Sequence, residues 1–400
     1  MFAVFSAIPT LASFISYHIQ AIFVQIRSIK LVNWKNFESA TLAFAERLVL
    51  FTGLNGMGKT NLLDAIHYLC MTRSYFGLRE KLLVRHGADF FRLEAGFEKG
   101  SRTHRVVAKV VPGKKKEFEV DGTPVPTFAD HIGQFPVVMV APADIQLAYE
   151  GSESRRKLLD AALSQTDKAY LDQLVQYTRL LKHRNHLLRQ LAEQPHQPHA
   201  LLDTIDHQMA APAQAIHQRR AAWVERLNPL LQHYYEIVSE GREAVACTYK
   251  SQLAHKSLPE LLTEKRRQDL ALGYSTAGIH RDDLDFRIDG RPLKQFASQG
   301  QLKSFILALK LAQYQLFVDE HGRTPLLLLD DLFDKLDQRR VSKLLELLLS
   351  QNFGQVCITD THAGRIPAIL RSFGQPYDHY CVQSGQARPC PTESQPEEDE

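Results

Sequence analysis

The sequence predicts an α/β fold that is interrupted by a helical insertion. Residues 48–51 form a continuous apolar run, and residues 326–329 are four leucines, as is typical of buried strands in a parallel sheet. Between them, over about 152–252, leucines recur at three- and four-residue spacing, which indicates long amphipathic helices. A chain of 400 residues also exceeds the usual length of one domain, which favours a two-lobed or inserted-domain architecture.

The remaining patterns of the body agree with this division. Apolar and polar residues alternate over 24–52 and again over 92–140, so we expect strands there. The helical region breaks at 194–198, and a second helix is predicted over roughly 199–226. A strand-and-helix pattern returns from Tyr274 onward.

The two ends of the chain differ from the body in composition. Residues 1–23 are apolar-leaning but carry no Lys or Arg, so they lack the basic region of a secretory signal and suit a membrane span poorly. We expect a poorly ordered extension or an over-long gene start. Residues 383–400 are rich in Pro, Ser, Gln and Glu, and a disordered acidic tail is predicted.

Charge and cysteine usage narrow the class of protein. The net charge is +3, and without residues 383–400 the body carries 47 basic and 40 acidic groups. This balance permits a polyanionic partner without proving one. The five cysteines form no CxxC pair, so we expect reduced thiols of a cytosolic protein, with neither a disulfide framework nor a zinc site. They are Cys70, Cys247, Cys357, Cys381 and Cys390.

A phosphate-loop motif lies directly after the first apolar run. The loop matches GxxxxGK[ST] between a strand and a helical pattern, and a chance glycine-rich turn would not explain both flanks. Its backbone N–H groups would face phosphate, Lys59 would reach the β- and γ-phosphates, and the Thr60 hydroxyl would ligate Mg²⁺. The predicted nucleotide-binding residues are Gly53, Leu54, Asn55, Gly56, Met57, Gly58, Lys59 and Thr60.

Two adjacent aspartates follow the leucine run. The carboxyl ends of parallel strands form the edge at which ligands bind in open α/β sheets. We expect Asp330 to orient Mg²⁺ and Asp331 to act as the base that polarises the attacking water, so both join Lys59 as catalytic candidates. A single aspartate after a strand is often only a helix cap, but two of them beside a phosphate loop favour the catalytic interpretation.

A further motif precedes these aspartates by about thirty residues. Ser298, Gln299, Gly300 and Gln301 open a helical pattern, which an ordinary serine N-cap would also explain. Their placement resembles the signature loop of ABC-type ATPases, and Asp337 then lies at the position of the D-loop. In that superfamily the signature faces the γ-phosphate held by the other subunit. The resemblance therefore implies ATP and a dimer that shares it.

Six segments, in family order, resemble motifs of the RecF family of DNA replication and repair proteins. They are residues 29–37, 54–66, 72–75, 182–185, 278–284 and 296–301. The resemblance implies an SMC-like ATPase with weak DNA-dependent ATP hydrolysis and an ATP-dependent homodimer on duplex DNA and single-strand gap junctions. It also implies a cytoplasmic role with RecO and RecR in loading recombinase, without a membrane partner. Lys35, Asn36 and Asn61 join the predicted nucleotide-binding residues on the same ground.

The resemblance also implies a domain layout. An ABC-type ATPase head, a P-loop NTPase with a β-rich subdomain, would comprise residues 24–150 and 256–382 and be interrupted by a helical arm at 151–255. Leu54 and Ile279 depart from the family's Glu and Pro, but the loop uses backbone N–H groups there. Two assignments stay open. Asp144 could ligate Mg²⁺ or be a solvated loop acid. His362 lies near the strand end at which the superfamily often places a histidine that senses the γ-phosphate.

A basic segment at 101–116 is the candidate DNA-binding surface. It contains six Lys or Arg residues and no acid, so we expect clustered cations that are not neutralised, as phosphate binding requires, although charge runs are usually solvated faces. The candidates are Arg102, Arg105, Lys109, Lys114, Lys115 and Lys116. The arm contributes further cations, namely Arg155, Arg156, Lys157, Lys182, Arg184 and Arg189. No aromatic residues alternate with these bases, so backbone contacts to DNA are expected rather than base readout.

Two other functions stay open. A transporter-type ATPase subunit usually carries a shorter insertion and a Gly-Gly signature, which this chain lacks. A nucleotide-binding scaffold of the SMC type with little hydrolysis is the second alternative, because Asp331 is shorter than the glutamate that many relatives have at this position.

Overall fold

The computed structural model describes residues 22–193, 199–239, 241, 243–332, 338–350 and 353–391, and the elements below lie within them. The strands are β1 (Ile22–Trp34), β2 (Phe37–Ala43), β3 (Leu48–Thr52), β4 (Phe91–Lys99), β5 (Arg102–Val110), β6 (Glu117–Val120), β7 (Thr123–Pro124), β8 (Val137–Val140), β9 (Val245–Lys250), β10 (Asp283–Ile288), β11 (Arg291–Pro292), β12 (Arg323–Thr324), β13 (Leu326–Leu329), β14 (Val356–Asp360), β15 (Asp378–Gln383) and β16 (Gln386–Pro389). The α-helices are α1 (Lys59–Met71), α2 (Phe128–His131), α3 (Gln146–Tyr149), α4 (Ser152–Thr166), α5 (Lys168–Glu193), α6 (Ala200–Ser239), α7 (Leu258–Leu272), α8 (Leu293–Phe296), α9 (Gln299–His321), α10 (Gln338–Ser350) and α11 (Arg365–Ser372).

The two apolar runs form β3 and β13 of one central sheet, which has the order β16-β15-β3-β14-β13-β8. Its strands are parallel except for β16, so the carboxyl ends of β3, β8, β13 and β14 meet at one edge. Alternate residues serve different layers: Leu48 and Leu50 pack with the helices, whereas Val49 and Phe51 pack with α1 and a second sheet. Burial on both faces explains why these strands are uniformly apolar.

The β-rich region forms that second sheet. Its order is β12-β1-β4-β5-β6-β7, with β2 paired to β1. In β4 the apolar residues alternate with polar ones, and Phe91, Leu93, Ala95 and Phe97 are buried. Helix α1 contacts strands of both sheets, so it is held along its length behind the phosphate loop.

Helices α4 to α7 and α9 cover the other face of the central sheet, beside a small sheet of order β11-β10-β9. Helix α6 runs to Ser239, beyond the predicted end near 226, because Leu227, Leu231, Tyr234 and Tyr235 continue its buried face. Strand β9 pairs with β10, so the chain around residue 250 is joined to the chain after residue 282. The domain boundaries inferred from the sequence stay a prediction.

The structure corrects the prediction of a tail that is disordered from residue 383. Strands β15 and β16 form an antiparallel hairpin around Ser384 and Gly385, and the described chain continues to residue 391. The prediction failed because backbone pairing, which composition does not report, orders this segment. The remainder of the predicted tail lies outside the described residues, as does the predicted extension up to residue 21, whereas Ile22 and Phe23 already belong to β1.

The same hairpin corrects the prediction that all cysteines are reduced thiols. It brings Cys381 and Cys390 together, with 5.1 Å between their Cα atoms, and the two are joined as a disulfide. The sequence spacing of nine residues hides this contact, since antiparallel pairing folds the chain back on itself. Cys70, Cys247 and Cys357 are buried free thiols, as expected. Among the described helices, none is both long and apolar enough to cross a membrane.

Candidate functional site

The phosphate loop leaves the sheet edge at the end of β3 and opens helix α1. Gly53, Gly56 and Gly58 have φ values of 154°, 80° and 115°, in the region that favours glycine. A Cβ atom on Gly53 would lie 2.2 Å from the Val382 oxygen, and one on Gly58 would lie 2.6 Å from the Asn36 Nδ2 atom. Both the curl of the loop and its close contacts therefore require glycine.

The loop and the leucine strand meet in a direct contact across 270 residues of sequence. The Thr60 hydroxyl lies 2.9 Å from both carboxylate oxygens of Asp330. Lys59 Nζ, which is nearly buried, donates to the carbonyl oxygens of Gly53 at 2.7 Å and Leu54 at 3.1 Å. The two motifs, although far apart in sequence, thus form one cluster at the carboxyl edge of the sheet.

Thr359, at the end of β14, organises both aspartates. Its hydroxyl donates to Asp330 Oδ1 at 2.9 Å and accepts from the Asp331 backbone N–H at 2.8 Å. Asp331 has a φ of 44°, so its backbone is held in the left-handed region by this contact. Sequence reasoning assigned no role to Thr359, although a threonine directly after the apolar run of a buried strand is a usable signal.

The structure suits a hard cation beside Asp330. This carboxylate is 3% exposed and accepts from two threonine hydroxyls. Burial raises the pKa of Asp330, and the hydrogen bonds from Thr359 and Thr60 oppose that rise. Oxygen ligands and a buried negative charge are what Mg²⁺ prefers, so Thr60 and Asp330 would hold it, and it would neutralise charge on the phosphates.

The three residues taken from the family resemblance brace the loop. Asn36 donates to the Met57 oxygen at 2.9 Å and accepts from Asn61 Nδ2 at 2.7 Å. Lys35 pairs at 2.6 Å with Asp64, a buried residue of α1 that sequence reasoning had not assigned. These contacts stabilise the loop and the start of α1, and direct contact with nucleotide stays a prediction.

Asp144 lies in a buried cluster rather than in a solvated loop. Its carboxylate accepts from the Ala141 N–H at 2.8 Å and from the Tyr75 hydroxyl. Lys310, on α9, lies 3.5 Å from Asp144 and donates to the Tyr75 oxygen at 2.8 Å. Both Asp144 oxygens are thus engaged by protein groups, and its contact with Mg²⁺ stays a prediction. Lys310 had no signal in the sequence, because lysines are rarely buried.

The signature residues form a reciprocal helix cap at the start of α9. Ser298 Oγ accepts from the Gln301 N–H at 3.2 Å, and Gln301 Oε1 accepts from the Ser298 N–H at 2.7 Å. Ser298, Gln299 and Gly300 are exposed. Within the described residues, no hydrogen bond joins this segment to the phosphate loop of the same chain.

Two other candidates have a simple outcome. Asp337, the predicted D-loop residue, lies outside the described residues. His362 follows β14 with an exposed side chain, and its N–H donates to Asp360 Oδ1 at 3.1 Å. A γ-phosphate-sensing role for His362 therefore stays a prediction.

The structure corrects the premise that the basic segment at 101–116 is not neutralised. Arg105 pairs with Glu94 at 2.6 Å, Lys109 with Glu117 at 3.6 Å, and Lys116 with Glu80 at 2.6 Å. These acids lie outside the segment, Glu117 directly after it, and strand pairing brings Glu94 and Glu117 beside β5. Arg102, Lys114 and Lys115 are exposed and form no ion pair within the described residues.

The arm cations are also partly structural. Arg184 is fully buried between Asp206 and Asp269, at 2.6 and 2.7 Å, so it cannot contact DNA. Arg155 pairs with Asp283 at 2.6 Å, Arg156 donates to the Asp282 oxygen, and Lys157 pairs with Glu153. Lys182 and Arg189 are exposed. A run of charge in sequence therefore overstated the free positive surface.

Comparisons with known proteins agree with this arrangement. A family model described as the RecF/RecN/SMC N terminal domain matches residues 25–366. A DNA replication and repair protein RecF from Flavobacterium johnsoniae is 41% identical over 354 residues, which cover 88% of this chain and 99% of that protein. A protein of the same name from Bacteroides fragilis strain YCH46 is 38% identical over 90% of this chain and 97% of its own.

Solved structures give the same result. A structure of the recombination mediator protein RecF with ATP, described as part of the RecFOR pathway, superposes with a TM-score of 0.85 at 27% identity, over 94% of this chain and 100% of its own. An Smc head domain from Pyrococcus furiosus, 13% identical, shares the fold with a TM-score of 0.53 over 91% of this chain and 95% of its own. The predicted α/β fold of an ABC-type ATPase head is confirmed. With its family model, its identities and its coverage taken together, the chain belongs to the RecF family.

Proposed function

We propose that this chain is an ATP-binding DNA repair and replication protein that hydrolyses ATP weakly and dimerises on ATP. It acts in the cytoplasm at junctions between single-strand gaps and duplex DNA, where it helps RecO and RecR to load recombinase. The observation that carries the ATP site is the 2.9 Å contact of Thr60 with both oxygens of Asp330. The relatives named for DNA replication and repair, and the structure named for the RecFOR pathway, support the biological role.

The chemistry assigns separate tasks to the residues of the site. The loop backbone and Lys59 bind phosphate oxygens, since a lysine that donates to neutral carbonyls keeps its charge available to an anion. Thr60 and Asp330 would hold Mg²⁺, which would stabilise negative charge on the phosphates. Asp331 accepts a proton from the attacking water. The proposal includes an ATPase head formed by residues 24–150 and 256–382 and a helical arm formed by residues 151–255.

DNA binding is assigned to the unpaired cations of the basic segment. Exposed positive charge is available to the DNA backbone from Arg102, Lys114 and Lys115, whereas Lys116 forms an ion pair with Glu80. Contacts of this kind carry no sequence preference and weaken with salt.

The dimer proposal rests on the exposed signature. The start of α9 presents N–H groups that attract an anion, and the phosphate loop of the second chain would supply ATP to them.

Two variants test this proposal of a shared ATP site. Lys59→Ala damages the loop, and Ser298→Arg blocks the signature face, so neither variant alone forms a working site. A mixture forms one composite site from an intact loop and an intact signature, and it should recover up to half of the wild-type hydrolysis.

The readouts are ATP-dependent sedimentation and phosphate release with and without gapped DNA. Ser257→Arg is the matched control, because Ser257 also lies at the N-terminus of a helix, α7, where its N–H and its hydroxyl both donate to Glu260. It should leave the dimer intact. An ATP-independent dimer, or normal dimerisation of Ser298→Arg chains, would remove the shared-site proposal. ATP binding and dimerisation without any phosphate release would instead favour the scaffold.

A further inference from the structure

Three metal-ligating side chains converge beside the phosphate loop, outside the ATP site. One ligand atom from each of His379, Cys381 and Cys390 lies within 4.8 Å of the other two, and all three residues are half-buried. The hydroxyl of Thr52, a buried residue, lies 2.8 Å from His379 Nε2 and 4.0 and 3.8 Å from the sulfurs of Cys381 and Cys390. This cluster is a compact group of nitrogen, sulfur and oxygen donors.

The C-terminal hairpin builds the cluster. His379 and Cys381 are two residues apart in β15 and so project to the same face of the sheet. The return strand brings Cys390 beside them, where its N–H donates to the His379 oxygen at 2.9 Å. Parallel pairing of β15 with β3 sets Cys381 opposite Thr52. The positions of the donors are therefore fixed by two sheet registers rather than by flexible loops.

We propose that, once the Cys381–Cys390 bond is reduced, His379, Cys381 and Cys390 bind a divalent cation of the zinc class. Two thiolates and one imidazole are a donor set that zinc accepts, with a fourth position left to water or a hydroxyl. The Thr52 hydroxyl lies against all three donor side chains and would be available for that position. The site differs from the ATP site in its ligands, because Thr60 and Asp330 offer oxygen, which suits Mg²⁺.

The chemical balance of the two states is simple. Two small-molecule thiols transfer two electrons and two protons to the Cys381–Cys390 bond and leave joined as one disulfide. The two cysteine thiols then release two protons as their thiolates bind the cation. The oxidised chain has no thiolate in this cluster and should not bind the cation.

The location gives the cation a structural consequence. The hairpin turn lies on the phosphate loop, where the Gly385 N–H donates to the Met57 oxygen at 3.2 Å and the Ser384 N–H to Met57 Sδ at 3.4 Å. Thr52, opposite Cys381, is followed directly by Gly53. A cation that joins β15 to β16 would therefore hold the hairpin against this loop.

The test measures metal binding by the whole chain, without nucleotide or DNA. The protein is reduced with a phosphine, the phosphine is removed, and Zn²⁺ is titrated against a chromogenic chelator, with Co²⁺ as a spectroscopic probe of thiolate ligation. We expect one equivalent of Zn²⁺ in the reduced chain and none in the oxidised chain. Cys381→Ala with Cys390→Ala should abolish binding. His379→Ala should weaken it by at least about 10-fold, since losing even an outer-shell partner costs roughly 10–100-fold.

The matched control is Cys247→Ala, which removes a buried thiol of β9 and should leave Zn²⁺ binding unchanged. Should the double variant fail to fold, alkylation of the reduced wild type gives a second route, because Zn²⁺ should protect Cys381 and Cys390 from it. Absence of stoichiometric Zn²⁺ in the reduced chain, equal binding after His379→Ala, or alkylation that ignores Zn²⁺ would each overturn the proposal.

Discussion

Two buried cations in this molecule have opposite surroundings. Arg220, on α6, is 1% exposed and pairs with Asp282 at 2.7 Å and Asp160 at 2.8 Å; these three residues form the arm cluster. Lys59, at the start of α1, is 5% exposed and donates to two backbone carbonyls. Within the described residues, no carboxylate forms an ion pair with Lys59. Burial alone therefore does not distinguish a structural cation from a functional one.

The partners make the distinction. In the arm cluster each charge is compensated by the protein itself, and Tyr249 adds a hydrogen bond to Asp282 at 2.5 Å. At the sheet edge, the cation faces neutral carbonyls and the Asp330 carboxylate accepts from neutral hydroxyls. Lys59 lowers the pKa of Asp330 through space, but the two form no ion-pair contact within the described residues. Buried charges without such a contact are costly unless a ligand supplies one. We therefore expect substitutions in the arm cluster to lower the stability of the fold. Substitutions at the sheet edge should instead weaken ATP binding or slow hydrolysis.

The largest expected effect is on stability. Arg220→Ala leaves Asp160 and Asp282 without their cation, so the free energy of unfolding should fall by about 3–5 kcal/mol. The control is Arg219→Ala, which removes the adjacent, largely exposed arginine and its surface contact with Asp167. That change should cost at most about 1 kcal/mol. Urea denaturation measures both free energies of unfolding. Equal losses in the two variants would mean that the arm cluster stabilises the fold no more than a surface ion pair does.

The next effect is on hydrolysis. Asp331→Asn keeps the size of the side chain but cannot accept a proton from water, so turnover should fall by about 100-fold or more. Because Lys59, Thr60 and Asp330 are untouched, ATP affinity should be retained and the ATP-bound dimer should accumulate. Single-turnover phosphate release measures the step. Undiminished turnover with normal ATP binding would remove Asp331 from its proposed role.

A smaller effect is expected on ATP affinity. Lys59→Ala removes a charge-assisted contact worth about 1.5–3 kcal/mol, or roughly 10- to 100-fold in Kd. Its free energy of unfolding should fall less than in Arg220→Ala, because Lys59 forms no ion-pair contact with a carboxylate among the described residues and acts on Asp330 only through space. The control is Lys182→Ala, which removes an exposed charge from α5. Wild-type ATP affinity in the Lys59 variant, measured by calorimetry, would contradict the placement of the site.

The smallest effect concerns DNA. Changing Lys114 and Lys115 together to alanine should lower the slope of log K against log salt by about 0.9 for each lost contact with duplex DNA. Lys116→Ala is the adjacent control: its side chain is held by Glu80 and by the Thr72 oxygen, so the slope should stay unchanged. Fluorescence anisotropy at several salt concentrations gives the slopes. An unchanged slope in the double variant would mark this segment as a solvated face.

Sequence patterns predicted correctly those features that depend on the residues of one short stretch of chain. The loop around Lys59 needs glycines within eight residues, and the run before Asp330 needs only its own apolarity, so both were predicted in place. The same reasoning failed for Lys116 and Arg184, whose neutralising acids lie far away in sequence. It also failed for Cys381 and Cys390, which strand pairing brings together.

By itself, the sequence determined the phosphate loop, the aspartate pair, the helical insertion and the resemblance to a family, because each depends on residues that are close together along the chain. Only the tertiary structure decided that Thr359 joins the two aspartates, that Lys310 reaches Asp144, and which cations of the basic segment remain free. The physical reason is that charge compensation and hydrogen bonding act over a few ångströms in space. Sheet register and helix packing set those distances, and neither is visible in the spacing of residues along the chain.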